Sequence, residues 1–255
     1  MKIEGSVILI TGGASGIGLS ITEHLINKGA FLFVCDLNEE KGKELQKKYD
    51  GQLHFFKCNI VNEKEVESMF DSIKKYKDKL DTVVNSAGIA WPELTATTKN
   101  MHKTSSFKKV FDVNVLGSFL VSKYAAKLMI DNHDPKAECN GNIIFIGSVA
   151  GIEGQRGQLA YAGSKAAVLG MVLPMARDLG KFKIRVNGIA PGIIVTPMTE
   201  GILTSGPMKS IVSQTPLGSV GKPENISSTV EYIVKNNFLN GTSIRVDGGV
   251  RFPQF

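Results

Sequence analysis

Seven short apolar runs recur along the chain: "SVILIT" near the start, then "FLFVCD", "LHFFKC", "LDTVVNSAG", "GNIIFIGS", "IRVNGIAPG" and finally "TSIRVDGG". They are rich in β-branched and aromatic residues and alternate too little to be half-exposed, so they read as strands covered on both faces. Between them, apolar residues return at helical spacing over residues 16 to 29, 39 to 49, 63 to 77, 105 to 133, 160 to 180 and 222 to 237. Strands alternating with helices in this way predict an α/β fold. The expected architecture is a doubly wound parallel sheet of about seven strands with helices on both faces, and a ligand crevice beyond the carboxyl ends of the strands.

Two stretches break the rhythm. Residues 90 to 105, "AWPELTATTKNMHKTS", are too polar and proline-interrupted for a core element and read as a surface insertion. Residues 191 to 216 mix turn-formers with apolar residues and are long for a connection within a domain, which marks a substrate loop. Its Ile202, Leu203, Met208 and Ile211 would supply an apolar lid. No linker or repeat interrupts residues 1 to 255, so they read as a single domain.

Composition narrows the function classes. At 255 residues, 42% hydrophobic and 21% charged, the chain suits one large α/β domain. The net charge of +6 comes from 30 basic residues scattered among 24 acidic ones, as in "NEEKGKELQKKYD". Such mixed runs form solvated helix faces, and the aromatic signatures of RNA modules are missing, so no nucleic-acid partner is expected. Cys35, Cys58 and Cys139 show no CxxC spacing, and their odd number argues against a disulfide framework. His24, His54, His102 and His133 never fall at metal-ligand spacing, so no metal is expected. The start lacks a secretory or arginine-rich leader and no apolar run reaches about 18 residues. The expectation is a soluble intracellular protein of the cytoplasm or mitochondrial matrix, with no membrane partner.

The candidate chemistry begins at "TGGASGIG", between the first strand and the first helix. Gly12, Gly16 and Gly18 allow a tight turn and let a pyrophosphate approach backbone N–H groups at a helix N-terminus. Asp36 ends the second strand, where a carboxylate can accept hydrogen bonds from both hydroxyls of an adenosine ribose. The same charge repels a ribose 2′-phosphate by roughly 1 to 4 kcal/mol at about 4 Å. Gly13 and Leu37 supply no compensating base, so NAD is favoured over NADP. "NSAG", Asn85 to Gly88 with Ala87 between, ends the fourth strand in small residues where bulk would collide with a ribose or nicotinamide.

Ser148 ends the fifth strand, and "YAGSK" opens the next helix with Tyr161 and Lys165 one turn apart on one face. Bringing a phenol from its reference pKa to near neutrality requires about 3 units, or roughly 4 kcal/mol. An ammonium about 4 to 5 Å away supplies a term of that order at an effective dielectric near 20. Tyr161 could then exchange a proton with an alcohol or carbonyl oxygen while Ser148 hydrogen-bonds that oxygen.

With these motifs in order, nearly the whole chain resembles the short-chain dehydrogenase/reductase superfamily, a family of single-domain Rossmann folds. "TGGASGIG", "NSAG", the asparagine of "VFDVNVLGSF", the serine of "IGSVAG", "YAGSK" and "PGIIVTPM" match in type and order. The resemblance implies a catalytic tetrad of Asn114, Ser148, Tyr161 and Lys165. It implies a cofactor set in which Ser15, Ile17 and Asp36 join the glycines, Asn59 with Ile60 beside it lies near the adenine, and Asn85, Ala87 and Gly88 line the crevice. Lys165 would bind the nicotinamide ribose hydroxyls, Thr196 would hydrogen-bond the nicotinamide carboxamide, and Tyr161, Pro191, Gly192 and Ile194 would complete the cofactor set. Asn59 stands where the family commonly has an aspartate, and its amide can still accept and donate.

Longer stretches, "ITGGASGIGL", "GMVLPMARDL", "IRVNGIAPG" and "FLNGTSIRVDGGVRF", resemble the type 10 17β-hydroxysteroid, or type II 3-hydroxyacyl-CoA, dehydrogenase group. That implies reversible NAD-linked oxidation of a 3-hydroxyacyl-CoA, activity on other secondary alcohols including hydroxysteroids, and a homotetramer. Two alternatives remain at this point. One is a 3-oxoacyl-carrier-protein reductase, which shares the tetrad; the other is a non-catalytic scaffold within an RNA-processing complex.

Overall fold

A computed structural model describes residues 1–199, 212 and 215–251. In it the seven runs become seven parallel strands: β1 (Val7–Thr11), β2 (Phe31–Asp36), β3 (Leu53–Lys57), β4 (Thr82–Asn85), β5 (Gly141–Ile146), β6 (Ile184–Pro191) and β7 (Ser243–Val246). Their spatial order is β3-β2-β1-β4-β5-β6-β7, so the winding reverses between β1 and β4. Connections leave in opposite directions there and open a crevice at the carboxyl ends. Thr11, the last residue of β1, lies level with Cys35 on one side and Asn85 on the other.

Alternate residues of the strands build two cores. Leu9, Phe33, Val83, Ile143 and Phe145 pack against α3 (Glu63–Lys77), α5 (Ser118–Asp131) and α6 (Leu159–Leu179). Ile8, Ile10, Leu32, Val84 and Ile144 pack against α1 (Gly16–Ile26), α2 (Glu39–Lys48) and α7 (Pro223–Lys235). Phe33 and Phe145 are fully buried, and burying such a side chain contributes about 1.5–3 kcal/mol.

Local chemistry sets the helix limits. The Asn38 side chain accepts from Lys41 N–H (3.1 Å) at the start of α2, and Pro223 stands in the first turn of α7. Helix α1 stops at Ile26, three residues short of the span read from periodicity, because the chain turns through Gly29 at φ 82° into β2. The helix read over 105 to 133 is α4 (Thr104–Phe111), a π-helical segment (Asp112–Gly117) and α5, run together. That helix and the one over 159–182 are long and apolar enough by length and composition to cross a membrane. Both nevertheless lay core residues on the sheet, as helices of a globular core do.

The insertion after β4 lies at the surface, with Trp91 and Met101 exposed. It is pinned by bridges between Glu93 and Gln158, just before α6, and between Ala96 and Met101. The lid positions Ile202, Leu203, Met208 and Ile211 lie outside the described residues.

Candidate active site

The crevice is a cavity of about 350 Å³ at the carboxyl ends of β1, β2, β4, β5 and β6. One end is built by the turn between β1 and α1. Gly12 (φ 65°) passes so close to the β4 loop that an added Cβ would sit 2.8 Å from Ala87 Cα. A Cβ on Gly18 would lie 2.1 Å from the Gly12 carbonyl oxygen, so only glycine lets α1 start against the turn. Ser15 precedes α1 without a side-chain capping bond, and the first turn holds no acidic residue. The helix therefore presents uncapped N–H groups and its positive dipole end at the cavity, where Ser15, Gly16, Ile17 and Gly18 are lining residues.

Asp36 lines the same end. Its Oδ2 accepts from Ala14 N–H (3.1 Å) and its Oδ1 from Asn38 N–H (3.0 Å), which fixes the carboxylate beside the turn. Lys57, level with Asp36 on β3, is held by Glu39 at 2.7 Å. Among the described residues, Lys165 at the far end is the one basic side chain on the cavity wall. The donors and acceptors thus fit a dinucleotide: uncapped N–H groups for a pyrophosphate, and a fixed carboxylate that can accept from a ribose hydroxyl. Asn59 and Ile60 line the wall beyond Asp36. Asn59 Oδ1 accepts from Val61 N–H (3.2 Å) and its own N–H donates to Glu65 Oε2 (2.7 Å), so part of its polar capacity goes to its own turn.

The other end carries the titratable groups. Ser148 accepts from Ala150 N–H (3.1 Å) and hydrogen-bonds the Tyr161 hydroxyl. Lys165 Nζ donates to the Ile146 carbonyl (2.8 Å) and lies 5.8 Å from the Tyr161 ring centre. Attraction between phenolate and ammonium does not dominate in the protein alone, in contrast to the expectation from spacing. Burial pushes the Tyr161 phenol above its ordinary value, partly offset by the Ser148 hydrogen bond, and burial pushes Lys165 down to about 8. Both groups are driven toward their neutral forms until a further charge enters the cavity.

Asn114 sits in the π-helical segment, buried behind the wall rather than on it. Its Oδ1 accepts from Ile89 N–H (2.8 Å), and its Nδ2 donates to the Ile89 carbonyl (2.9 Å) and to Ser164 Oγ (2.9 Å). Ser164 in turn donates to the Tyr161 carbonyl (2.7 Å). Ala87 and Gly88 face the cavity, whereas Asn85 turns away and donates to Ser122 Oγ (2.9 Å). Pro191, Gly192, Ile194 and Thr196 close the remaining side, and the Thr196 N–H donates to Thr199 Oγ1 (3.0 Å).

Several residues of the site escaped the sequence reading, among them Thr11, Ser164, Cys35 and Cys58. Thr11 Oγ1 accepts from the N–H groups of Ser86 (3.2 Å) and Ala87 (3.1 Å) and so holds the small-residue loop in place. Ser164 lies inside "YAGSK", where helical spacing from Tyr161 was the available signal. Cys35 and Cys58 line the cavity beside Asp36 and Asn59; only the pairing of β2 with β3 brings them together.

Comparison with known proteins finds relatives over nearly the whole chain. A family model described as enoyl-(acyl carrier protein) reductase matches residues 12–251. The 3-hydroxyacyl-CoA dehydrogenase type-2 of Homo sapiens is 40% identical over 256 residues, covering 98% of this chain and 97% of that protein. The crystal structure of a 3-hydroxyacyl-CoA dehydrogenase type-2 from Mycobacterium avium superimposes with a TM-score of 0.91 at 28% identity, covering 98% of this chain and 97% of that one. A structure of ElxO with NADP bound reaches a TM-score of 0.86 at 28% identity, covering 96% of this chain and 98% of that one.

Proposed function

The chain belongs to the short-chain dehydrogenase/reductase family, and from that membership we propose that it is an NAD-linked dehydrogenase interconverting a 3-hydroxyacyl-CoA and its 3-oxoacyl-CoA. The observation that carries the reading is the grouping of Ser148, Tyr161 and Lys165 on one wall of a cavity whose other end holds the glycine turn and Asp36. The substrate class is taken from relatives such as the human protein, similar over nearly their whole length. Hydroxysteroids are a second alcohol class for the same site.

Hydride exchange at the alcohol carbon is the chemistry that a bound nicotinamide supplies. The protein's own part is proton transfer and alignment. In the direction of oxidation, Tyr161, as the phenolate that a positive charge entering the cavity would favour, takes the proton of the substrate hydroxyl while the Ser148 hydroxyl fixes that oxygen by a hydrogen bond. Lys165, tethered to the Ile146 carbonyl and holding its proton weakly, relays the proton away from the tyrosine side. Asn114 positions the start of α6 against the β4 loop through Ser164 and Ile89.

Asp36 and the lack of a second basic group on the described wall support NAD over NADP, in contrast to the NADP of the ElxO structure. A homotetramer is proposed as the assembled form, because α6 is apolar yet leaves Leu159 and Leu173 about half exposed. The free thiols suit a reducing compartment such as the cytoplasm or mitochondrial matrix.

The test is the initial rate of cofactor oxidation with acetoacetyl-CoA, comparing NADH with NADPH. Faster turnover with NADH is expected, and Tyr161→Phe should lower it by about 10²–10⁴-fold while NADH binding persists. Preference for NADPH would overturn the assignment from Asp36 and favour a carrier-protein reductase. Undiminished turnover in Tyr161→Phe would remove the proton-transfer role.

A further inference from the structure

Cys35 and Cys58 have no part in the proposed reaction. They are 23 positions apart in sequence, Cys35 on β2 and Cys58 directly after the neighbouring strand β3, and both are buried beneath the end of the cavity lined by Asp36 and Asn59. Cys35 Sγ donates to the Cys58 carbonyl oxygen (3.6 Å), which holds the two residues together at this end of the cavity. Each is also wired to the candidate cofactor site. The Cys35 carbonyl accepts from Gly12 N–H (2.7 Å), and Cys58 N–H contacts the Asp36 carbonyl (3.4 Å).

We propose that Cys35 and Cys58 form a dithiol–disulfide pair, a peroxide-sensitive site at the adenosine end of the cavity that a bound dinucleotide covers. The identity of the covering ligand rests on the function proposed above; the juxtaposition of the thiols does not. The two sulfurs differ in character. The neighbouring Cys35 thiol pulls the Cys58 thiol below its ordinary pKa, whereas the Cys58 thiol and burial push Cys35 well above it. Cys58 is therefore the nucleophile and Cys35 its resolving partner.

The Cys58 thiolate attacks one oxygen of hydrogen peroxide. The O–O bond breaks, the sulfur loses two electrons to become a sulfenic acid, and hydroxide leaves. The Cys35 thiol gives its proton to that hydroxide, its sulfur displaces a second hydroxide from the sulfenic sulfur, and the proton that Cys58 released on ionising turns that hydroxide into water. Two thiols and one peroxide thus yield one disulfide and two waters. Drawing the sulfurs into bonding distance moves the backbone that holds Gly12, Asp36 and Asn59, so the oxidised form should lose affinity for the dinucleotide.

The experiment treats the reduced, full-length protein with hydrogen peroxide, with and without saturating NAD, then alkylates under denaturing conditions and maps the peptides by mass spectrometry. Expected is a linked pair of peptides containing Cys35 and Cys58, lighter by two hydrogens, reversible by dithiothreitol and slowed by NAD. Cys139, a half-buried thiol away from the cavity, serves as the internal reference and should remain alkylatable at the same peroxide dose. In Cys35→Ala, Cys58 should stop at a trappable sulfenic acid. Recovery of both cysteines as free thiols when Cys139 has already reacted, or over-oxidation of Cys58 with Cys35 untouched, overturns the pair. NADH fluorescence titrations of reduced and oxidised protein separate the two readings. Equal affinity in both forms overturns the coupling, and no NADH binding to the reduced form overturns the dinucleotide reading while the disulfide is still scored by mass.

Discussion

Lys165 keeps its ammonium where water scarcely reaches, and burial lowers its pKa to about 8 from an ordinary value near 10.5. Between those values the unfolded chain binds the proton and the folded one does not, so stability rises with pH across that window. Below about pH 8 the folded protein carries the whole burden of a buried charge, up to about 3 kcal/mol. Lys165→Met should therefore stabilise the dinucleotide-free protein at neutral pH by about 1–3 kcal/mol, less the lost hydrogen bond to Ile146. Urea titrations at several pH values would show the gain shrinking toward pH 10, with turnover abolished throughout; destabilisation at pH 7 would contradict it. The pairing of Tyr161 with Lys165 was legible from spacing alone. The balance of forces on them was not, because desolvation depends on which distant segments cover the pair.

The π-helical segment between α4 and α5 gives a comparable lesson for elements. Periodicity showed one long helix over residues 105 to 133, and one continuous helix is found, but the extra residue per turn that π geometry introduces leaves no apolar signature. That local widening accompanies the placement of Asn114 between Ile89 and Ser164, so three separate elements share one amide. Asn114→Ala should leave the half-buried Ile89 N–H without its side-chain acceptor and lower stability by about 0.5–1.5 kcal/mol, measured by denaturant unfolding. It should also lower kcat more than it raises KM, since substrate-facing groups remain while the start of α6 loosens. An unchanged kcat would reduce Asn114 to a packing role. The early end of α1 belongs to the same class, because Gly29 acts through a positive φ that periodicity does not register.

At the scale of the whole molecule, the alternation of runs made the sheet type and approximate strand count readable. The order of strands was a different matter, since pairing of β1 with β4 rather than only with β2 is decided by packing across the chain. The half-exposed apolar face of α6 bears on assembly. Sedimentation at micromolar concentration should give about four times the 27.5 kDa chain mass, and Leu173→Glu should shift it toward smaller species. A single-chain mass for the wild type would dispose of the tetramer. The position of β1 inside the sheet also bears on how the polypeptide is made. During synthesis from the N-terminus, β1, β2 and β3 with their helices leave the ribosome first and can assemble as a nascent unit. The opposite edge of β1 stays open until Thr82–Asn85 emerges, and β7 cannot join before Val246. The half that carries the glycine turn and Asp36 is thus complete long before Tyr161 is translated, and the later half is laid down on an existing template.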